Sequence, residues 1–413
     1  MKETFGQAIP RSLALFERAA RVIPGGIYGH TSPAGTLPGV FPYFAERAKG
    51  ARYRDYDGRE FLDFLCGYGT HILGYGDAEV EAAAEAQRKR GNALNHPTER
   101  AVELAEALVE RIDFADWAVF GKNGSDMTTW AVQVAREHTG RPKVFLAEGA
   151  YHGVDSWCSP GAGGLIPEDR AQVHTFTWNR PDTLEAGLKA HAGAVAAVIL
   201  TPFHHPSFHP SVLPDPGFLE GVQRLCREAG ALLILDDIRA GFRLHGGGSH
   251  RYFGFEPDLA CHCKCLANGY PLSATVGKAS LKKAASRVFL TGSYWNDAVS
   301  MAASLTCLHA IDERVVPEKL ARLGNRLMDG LERSGADHGF RVVRSGPPAM
   351  PYLSFDPDPD LFRMQRFCEL MVERGILLHP HHNWFLCAAH TEEDIASALD
   401  RSEEVFALMK MET

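Results

Sequence analysis

The sequence has no long hydrophobic run and no concentration of positive charge. None of its apolar stretches approaches the roughly 18 residues that a membrane-spanning helix needs. The formal net charge is -8 and the lysines and arginines are scattered, so we expect neither nucleic acid nor a membrane as a partner. The N-terminal stretch MKETFGQAIPRSLALFERAARVIPGG lacks the continuous apolar core of a signal peptide. We therefore expect a cytoplasmic protein.

Cysteine is also sparse. Nine cysteines, an odd number, are spread over 413 residues, which indicates free thiols in a reducing compartment rather than a disulfide framework. The densest group, the CHCKC run at 261–265, spaces its cysteines as C-x-C-x-C and has no second half elsewhere. Structural zinc sites usually combine two pairs of ligands, each with about two to four residues between its members. We therefore predict no metal site.

Helical and strand-like segments alternate through the middle of the chain. Residues 194–200 and 231–235 are short, continuous apolar runs, typical of strands that are buried on both faces of a parallel sheet. Between them, residues 217–229 have the apolar spacing of a crossover helix. This pattern predicts an α/β protein with a mostly parallel central sheet flanked by helices.

The same pattern suggests domain boundaries. We predict a large domain over residues 60–310 and a smaller C-terminal α+β domain over residues 311–413, where the strand and helix pattern changes. Residues 1–59 are predicted to form an N-terminal segment that packs with the small domain.

Lys264 lies in a stretch of apolar and small residues, EPDLACHCKCLANGYPLSA. Burying an ammonium group there is costly unless the amine is paired or used covalently. A Schiff base with pyridoxal 5'-phosphate (PLP) would remove that cost, and the amine, once released, could act as a general base. The alternative is a surface lysine whose aliphatic stem covers apolar surface.

Asp236 ends the strand-like run ALLIL. In an open α/β sheet, ligands bind beyond the carboxyl ends of the strands. A carboxylate there can pair with the protonated pyridine nitrogen of PLP and keep the ring able to accept electrons. The alternative is a carboxylate that caps the following helix.

Two further segments fit the same cofactor. Gly124 and Ser125 directly precede the helical stretch MTTWAVQVAREHTG, where backbone N–H groups and a hydroxyl can bind a phosphate. Tyr151 and His152 follow the strand-like KVFLAEGA, so the aromatic ring could stack on the pyridine. An ordinary helix start and a core tyrosine are the alternatives. The order of the four elements along the chain favours a PLP site.

These segments resemble the class III aminotransferases of fold type I, especially the glutamate-1-semialdehyde 2,1-aminomutase branch. The resemblance extends over nearly the whole chain and includes PGG at 24–26, FAERAKGARYRDYDGREFLDF at 44–64, ILGYGDAEV at 72–80, the NGSD and EGAYHG segments, PGFLEGVQRLCREAGALLILDDIRAGFR, PDL with Lys264, and AAHTEEDI at 388–395. It implies a fold type I PLP-dependent transferase with aminotransferase activity.

The resemblance also implies cofactor contacts, which in chain order are Gly124, Ser125, Tyr151, His152, Asp236, Ile238, Lys264 and Ser293. Among these, Lys264 would form the Schiff base, and Ile238 and Tyr151 would pack on opposite faces of the ring. Ser293 stands where relatives place a phosphate-binding Thr from the neighbouring subunit. The resemblance therefore implies an obligate homodimer with active sites at the interface.

The sequence departs from this family at positions that face the substrate. The segment after PGG reads IYGHTSPAG and lacks the carboxylate-binding Arg of the aminomutases, and His382 stands roughly where they have a Glu. The expected substrate contacts are therefore aromatic or imidazole side chains, namely Tyr28, His30, Tyr68, His205, His382 and Trp384. Such a pocket suits a polar, hydroxylated or cyclic substrate of secondary metabolism.

We therefore predict a PLP-dependent aminotransferase that moves an amino group from a small-molecule donor to a carbonyl acceptor. The cofactor would alternate between PLP and pyridoxamine phosphate, with Lys264 and Asp236 as the catalytic residues. An intramolecular aminomutase of the glutamate-1-semialdehyde type is one alternative, and a PLP epimerase or decarboxylase on the same fold is another. A non-catalytic regulatory or metal-binding protein on this fold is a further one.

Overall fold

The structure is a computed structural model that describes residues 9–206 and 209–412. The first eight residues, which belong to the stretch used above to judge a signal peptide, lie outside the described part. The chain divides into two compact units. The first unit comprises the described residues of 1–77, 207–210 and 319–413, and the second comprises those of 78–206 and 211–318.

The strands, in chain order, are β1 Ala45–Lys49, β2 Arg52–Asp55, β3 Glu60–Asp63, β4 Trp117–Gly121, β5 Lys143–Ala147, β6 Val173–Phe176, β7 Val195–Leu200, β8 Leu232–Asp236, β9 Leu259–His262, β10 Ser273–Gly277, β11 Val342–Ser345, β12 Tyr352–Phe355 and β13 Ile376–Leu377. The α-helices are α1 Pro10–Ala20, α2 Ala78–Arg90, α3 Glu99–Arg111, α4 Gly124–Thr139, α5 Pro167–Arg170, α6 Pro181–Ala190, α7 Phe218–Ala229, α8 Ser249–Phe253, α9 Lys282–Ala285, α10 Ala298–Glu313, α11 Val316–Asp337, α12 Phe362–Glu373 and α13 Glu392–Glu412.

The second unit is built on a sheet with the strand order β4-β10-β9-β8-β7-β5-β6. Neighbouring strands from β6 to β9 pair in parallel, and β10 pairs antiparallel with both β9 and β4. Every residue of β7 is buried, as expected for a strand covered on both faces. The predicted α/β fold with a mostly parallel sheet is confirmed.

Helix α7 is the predicted crossover between β7 and β8. Its apolar positions recur every three or four residues, so Phe218, Val222 and Leu225 are all buried along one side. The helix ends at Gly230, whose φ of 61° lies in the left-handed region that terminates helices and favours glycine. The chain then enters β8 directly, which delivers Asp236 to the carboxyl end of the sheet.

The first unit contains a mixed sheet with the order β1-β2-β3-β13 and a separate antiparallel pair, β11 and β12. Its apolar interior includes three stacked or edge-on phenylalanines from β12, α12 and α13. The ring centroid of Phe367 lies 5.9 Å from that of Phe355 and 5.0 Å from that of Phe406. Within the described residues, no helix combines the length and the apolar character needed to span a membrane.

Candidate active site

The second unit places Lys264 and Asp236 at the same edge of its sheet. Strands β8 and β9 are parallel, and Asp236 lies opposite Cys261 in their register. Lys264 follows Cys261 by three positions and opens a short 3₁₀ turn, Lys264–Ala267. Because parallel strands end at a common edge, the predicted cofactor lysine and carboxylate leave neighbouring strands at the edge where α/β proteins bind their ligands.

Lys264 combines an unusual backbone conformation with a lowered side-chain pKa. Its φ of 42° lies in the left-handed region, which non-glycine residues adopt rarely and mostly where the surrounding structure requires it. Desolvation, followed by the positive charge of Arg239, lowers the pKa of Lys264 to about 7. A large fraction of the amine is therefore neutral near neutral pH and able to attack a carbonyl carbon.

Asp236 is held by a buried histidine. His152 Nδ1 lies 2.8 Å from Asp236 Oδ2, and both side chains are buried. The other carboxylate oxygen accepts the backbone N–H of Ile238 at 3.3 Å. Among the described residues, the buried His152 Nε2 has no hydrogen-bond partner, so this nitrogen could still donate or accept a hydrogen bond. The structure thus links the predicted residues His152 and Asp236, which are 84 positions apart.

The first turn of α4 packs tightly against two other loops. A Cβ added to Gly124 would lie 2.4 Å from Ile238 Cδ1, and one added to Gly153 would lie 2.5 Å from Ser125 Oγ. Ser125 Oγ also accepts the N–H of Val154 at 3.1 Å. These contacts bring together the predicted phosphate-binding residues and the predicted ring contact. The first-turn N–H groups of the 16-residue helix α4 carry a partial positive charge, which is the feature of helix N-termini that suits a phosphate.

Three other predicted residues of the second unit are located as follows. Tyr151 has an exposed side chain. Ser293 is exposed in a turn between α9 and α10. His205 lies edge-on to Phe203, with their ring centroids 5.3 Å apart.

In the first unit, three predicted substrate residues and one further histidine, His379, form a cluster of aromatic and imidazole rings around Tyr68. We call this group of Tyr68, His30, His379 and His382 the Tyr68 cluster. The ring centroid of Tyr68 lies 4.3 Å from that of His30, 6.1 Å from that of His379 and 5.4 Å from that of His382, all in edge-on arrangements. Burial, and then the charges of His381 and His30, lower the pKa of His379 to about 3, so its imidazole is neutral.

The other two predicted substrate residues of this unit are placed differently. Trp384 is completely buried, and its Nε1 donates to the carbonyl oxygen of His379 at 3.0 Å. Trp384 therefore supports, from the interior, the segment that carries His379 and His382. Tyr28 is exposed, and its backbone carbonyl accepts the Thr31 hydroxyl at 3.0 Å.

Sequence reasoning overlooked two side chains beside Asp236. Arg239 lies close enough to Lys264, Asp236 and Tyr151 for their charges to interact. Asp237 is fully buried and accepts the N–H of Ser249 at 2.9 Å, while burial raises its pKa to about 7. The signal for both was the DDIR stretch itself, in which two further charged residues come directly after the buried strand that Asp236 ends.

This set of groups fits PLP. A partly neutral lysine could bind the aldehyde, a buried carboxylate could face the pyridine nitrogen, and a glycine-lined helix start could hold the phosphate. A mostly parallel sheet with a lysine and a carboxylate at adjacent strand ends is the frame of the fold type I PLP-dependent enzymes.

Comparison with known proteins narrows this class. The sequence profile of the class-III aminotransferases matches residues 37–400. An aminopentol aminotransferase of Sphingopyxis macrogoltabida is 44% identical over 397 residues, which cover 96% of this chain and 94% of that protein. A 3-aminobutyryl-CoA aminotransferase of Cloacimonas acidaminovorans is 34% identical over 407 residues, covering 97% of this chain and 98% of that protein.

A solved structure agrees with these relatives. The FumI protein of Sphingopyxis sp. MTA144, determined in its PLP internal aldimine form, superposes with a TM-score of 0.95 at 44% identity and covers 97% of this chain and 96% of its own. The chain belongs to the class III aminotransferase family and is a PLP-dependent aminotransferase. The predicted family, enzyme class and cofactor are confirmed.

Proposed function

We propose that this aminotransferase transfers an amino group between an amine that carries several hydroxyl groups and a carbonyl acceptor. The Tyr68 cluster is the observation that carries this proposal. A neutral imidazole offers one donor and one acceptor, and a phenol offers both, so such groups match hydroxyls. The segment 24–36 contains no arginine for a substrate carboxylate. The name of the 44% identical relative, an aminopentol aminotransferase, also supports an amine of this kind. A role in secondary metabolism is proposed together with this donor.

In the proposed substrate site, Tyr68, His30 and His382 contact the hydroxyl-bearing part of the substrate. Tyr28 is proposed to add a contact from the same unit. For the second unit, His205 is proposed as a substrate contact. Trp384 is proposed to act from the interior by holding His379, since its indole nitrogen is already bonded to that residue. A site that hydrogen-bonds the hydroxyls of its substrate is expected to discriminate against substrates that lack them, because those substrates cannot form these hydrogen bonds.

The strand-end geometry supports the cofactor roles that we propose. We propose that Lys264 Nζ holds the cofactor and moves the proton at the reacting carbon, and that Asp236, supported by His152, faces the pyridine nitrogen. Gly124 and Ser125 would bind the phosphate, and Ile238 and Tyr151 would cover the ring faces. When bound, PLP carries the amino group between the two substrates and withdraws electrons from the carbon that loses its proton.

We also propose a homodimer in which Ser293 reaches the phosphate of the neighbouring subunit. Large apolar side chains near Ser293 in the second unit are solvent-exposed: Phe289 is 85% exposed and Tyr294 is 67% exposed. Aromatic residues are enriched in protein–protein interfaces, so the exposure of these two side chains supports the proposed dimer. A cytoplasmic location is proposed because all nine cysteines are free thiols.

A donor and acceptor screen tests the reaction. The holoenzyme would be mixed with amino polyols or with short α-amino acids, and conversion to the pyridoxamine form would be followed by absorbance. The proposal expects kcat/KM to be higher for the amino polyols by at least about 10²-fold. Equal or higher values for short α-amino acids would contradict the proposed donor. Turnover of a single substrate without a donor would instead indicate the aminomutase reaction.

A further inference from the structure

Two thiols and an imidazole meet in the interior of the first unit. Cys66, Cys387 and His390 are 1%, 1% and 0% exposed. One ligand atom from each lies within 4.8 Å of the other two. The roles proposed above for the cofactor and the substrate use none of the three.

The two thiols lie on chain segments that run side by side. The N–H of Phe385 donates to the carbonyl of Phe64 at 2.7 Å, and the N–H of Ala388 donates to the carbonyl of Ile72 at 2.7 Å. His390 is fixed by stacking on Phe64, with their ring centroids 4.7 Å apart. The proximity of Cys66 and Cys387 is therefore set by the backbone.

The surroundings of the two sulfur atoms differ. Cys66 Sγ lies 3.5 Å from the carbonyl oxygens of both Asp63 and Phe385, and oxygen acceptors favour a protonated thiol. Cys387 Sγ lies 3.3 Å from His390 Nδ1, which can accept the thiol proton. Hydrogen bonding from Cys66, together with the charge of His390, holds the pKa of Cys387 well below its usual range despite burial.

This asymmetry distinguishes a zinc site from a redox-active pair of thiols. A zinc ion would need both sulfurs as thiolates, yet two carbonyl oxygens face Cys66 Sγ. His390 Nδ1 also lies 3.0 Å from the backbone nitrogen of Cys387, so the imidazole contacts both the amide and the thiol of this residue. One protonated thiol beside one activated thiol is instead the arrangement of a dithiol pair that undergoes oxidation.

We propose that Cys66 and Cys387 form a redox-active pair that a small hydroperoxide converts into a reversible disulfide. Cys387 is the attacking thiol, Cys66 the resolving thiol, and His390 a positioning residue that accepts the proton of Cys387. Disulfide formation does not depend on the proposed substrate, so the two proposals can fail separately.

The chemistry balances with hydrogen peroxide as the oxidant. The Cys387 thiolate attacks one peroxide oxygen, an S–O bond forms, the O–O bond breaks, and the departing hydroxide takes up the proton held by His390 to become water. The Cys66 sulfur then attacks the sulfenic sulfur, an S–S bond forms, and the S–O bond breaks. The released hydroxide takes the Cys66 proton and leaves as a second water.

The burial of both sulfurs limits the oxidant and the rate. Only a small, uncharged hydroperoxide can reach them, and only when the surrounding segments open locally. The disulfide would tie the segment that ends at Cys387 to the start of the left-handed run Cys66–Gly69, which carries Tyr68. Oxidation is therefore expected to change the KM for the amine more than the retention of PLP.

Peptide mapping of the oxidised holoenzyme tests the proposal. The protein is treated with hydrogen peroxide, alkylated in denaturant, digested and analysed by mass spectrometry without and with dithiothreitol. We expect a dithiothreitol-sensitive cross-link between the peptides of Cys66 and Cys387. The buried Cys226, on α7, should remain a thiol. The proposal is overturned if no cross-link appears at a dose that oxidises the partly exposed Cys158, or if Cys387 passes only to the sulfinic acid.

Variants sharpen the assignment. In Cys66→Ser, Cys387 should accumulate as a sulfenic acid that reacts with dimedone, while Cys226→Ser, the matched buried control, should form the cross-link as the unaltered protein does. In His390→Gln, the cross-link should form about 10-fold more slowly at neutral pH and recover as the pH rises. A rate unchanged in His390→Gln would refute its role. Stoichiometric zinc that is lost in Cys66→Ser would overturn the dithiol assignment in favour of a metal site.

Discussion

The strand-end region of the second unit and the Tyr68 cluster of the first are built in contrasting ways. In the former, Asp236 ends a regular strand and Gly124 begins a regular helix, and only Lys264 among the predicted cofactor residues other than glycine has a positive φ. In the latter, Cys66, Gly67, Tyr68 and Gly69 have consecutive φ values of 48°, 61°, 56° and 87°. Asp236, Gly124 and Ser125 therefore lie on regular elements, whereas Tyr68 lies in an irregular turn.

This difference suggests that one region serves the cofactor and the other serves the substrate. The regular frame fixes the positions of groups that every reaction of the cofactor requires. The left-handed run is held by its neighbours, with the Asp63 carboxylate accepting the N–H groups of Leu65 and Cys66 at 2.6 and 3.1 Å. Substitutions in such a turn can change the substrate preference while the cofactor groups stay in place. Mutations in the two regions should therefore have separable effects.

The largest effect is expected at Asp236. Asp236→Asn removes the charge that would stabilise a protonated pyridine nitrogen, so kcat/KM should fall by about 10³-fold. Steady-state kinetics with the best donor from the screen measures this loss. The adjacent buried carboxylate supplies a matched control, because Asp237 bonds the Ser249 N–H and is not assigned to the cofactor. Asp237→Asn should change kcat/KM by less than about 10-fold, and comparable losses in both variants would contradict the assignment.

Tyr68→Ala should act on the substrate alone. Loss of the ring and hydroxyl is expected to raise the KM for a hydroxylated amine by about 10- to 100-fold, while the PLP content after dialysis stays unchanged. Tyr68→Phe retains the ring contacts with His30 and His382, so its KM for the amine should lie between those of the unaltered protein and Tyr68→Ala. Loss of PLP in Tyr68→Ala would show that the two regions are not separable in the way proposed.

A smaller effect is expected from Arg239, on the pH dependence. Its positive charge contributes to the lowering of the Lys264 pKa to about 7, so removing it raises that pKa and keeps the amine protonated to higher pH. In Arg239→Gln, the midpoint of the pH dependence of PLP binding by the apoenzyme should move upward. Arg239→Lys retains the charge and should leave the midpoint close to that of the unaltered protein. An unshifted midpoint in Arg239→Gln would rule out this electrostatic role.

Much of the strand-end region could be predicted from the sequence. The apolar runs that became β7 and β8 are buried, except for the half-buried Leu232 at the start of β8. Two such runs separated by a segment with helical periodicity are typical of a parallel β-α-β unit. The residues after such strands then follow from the rule for ligand sites in α/β sheets. The pair of His152 and Asp236 was beyond prediction because a contact across 84 positions depends on tertiary packing.

The Tyr68 cluster was predictable only as a set of residue types. A run of four left-handed residues that includes Cys66 and Tyr68 contradicts the local preference of both side chains. No local pattern indicates that Trp384 is buried beneath His379 rather than exposed.

In the second unit, the position of β10 could not be predicted either. It pairs antiparallel with both β9 and β4, and short apolar strands do not reveal their direction.

Reductive trapping tests the role of Lys264 most directly. Borohydride treatment of the holoenzyme, followed by digestion and mass spectrometry, would mark the lysine that carries the cofactor. We expect the pyridoxyl group on Lys264 alone and its absence from Lys264→Ala. Recovery of the group on another lysine, such as Lys122 or Lys278, would contradict the central claim that the end of β9 supplies the amine.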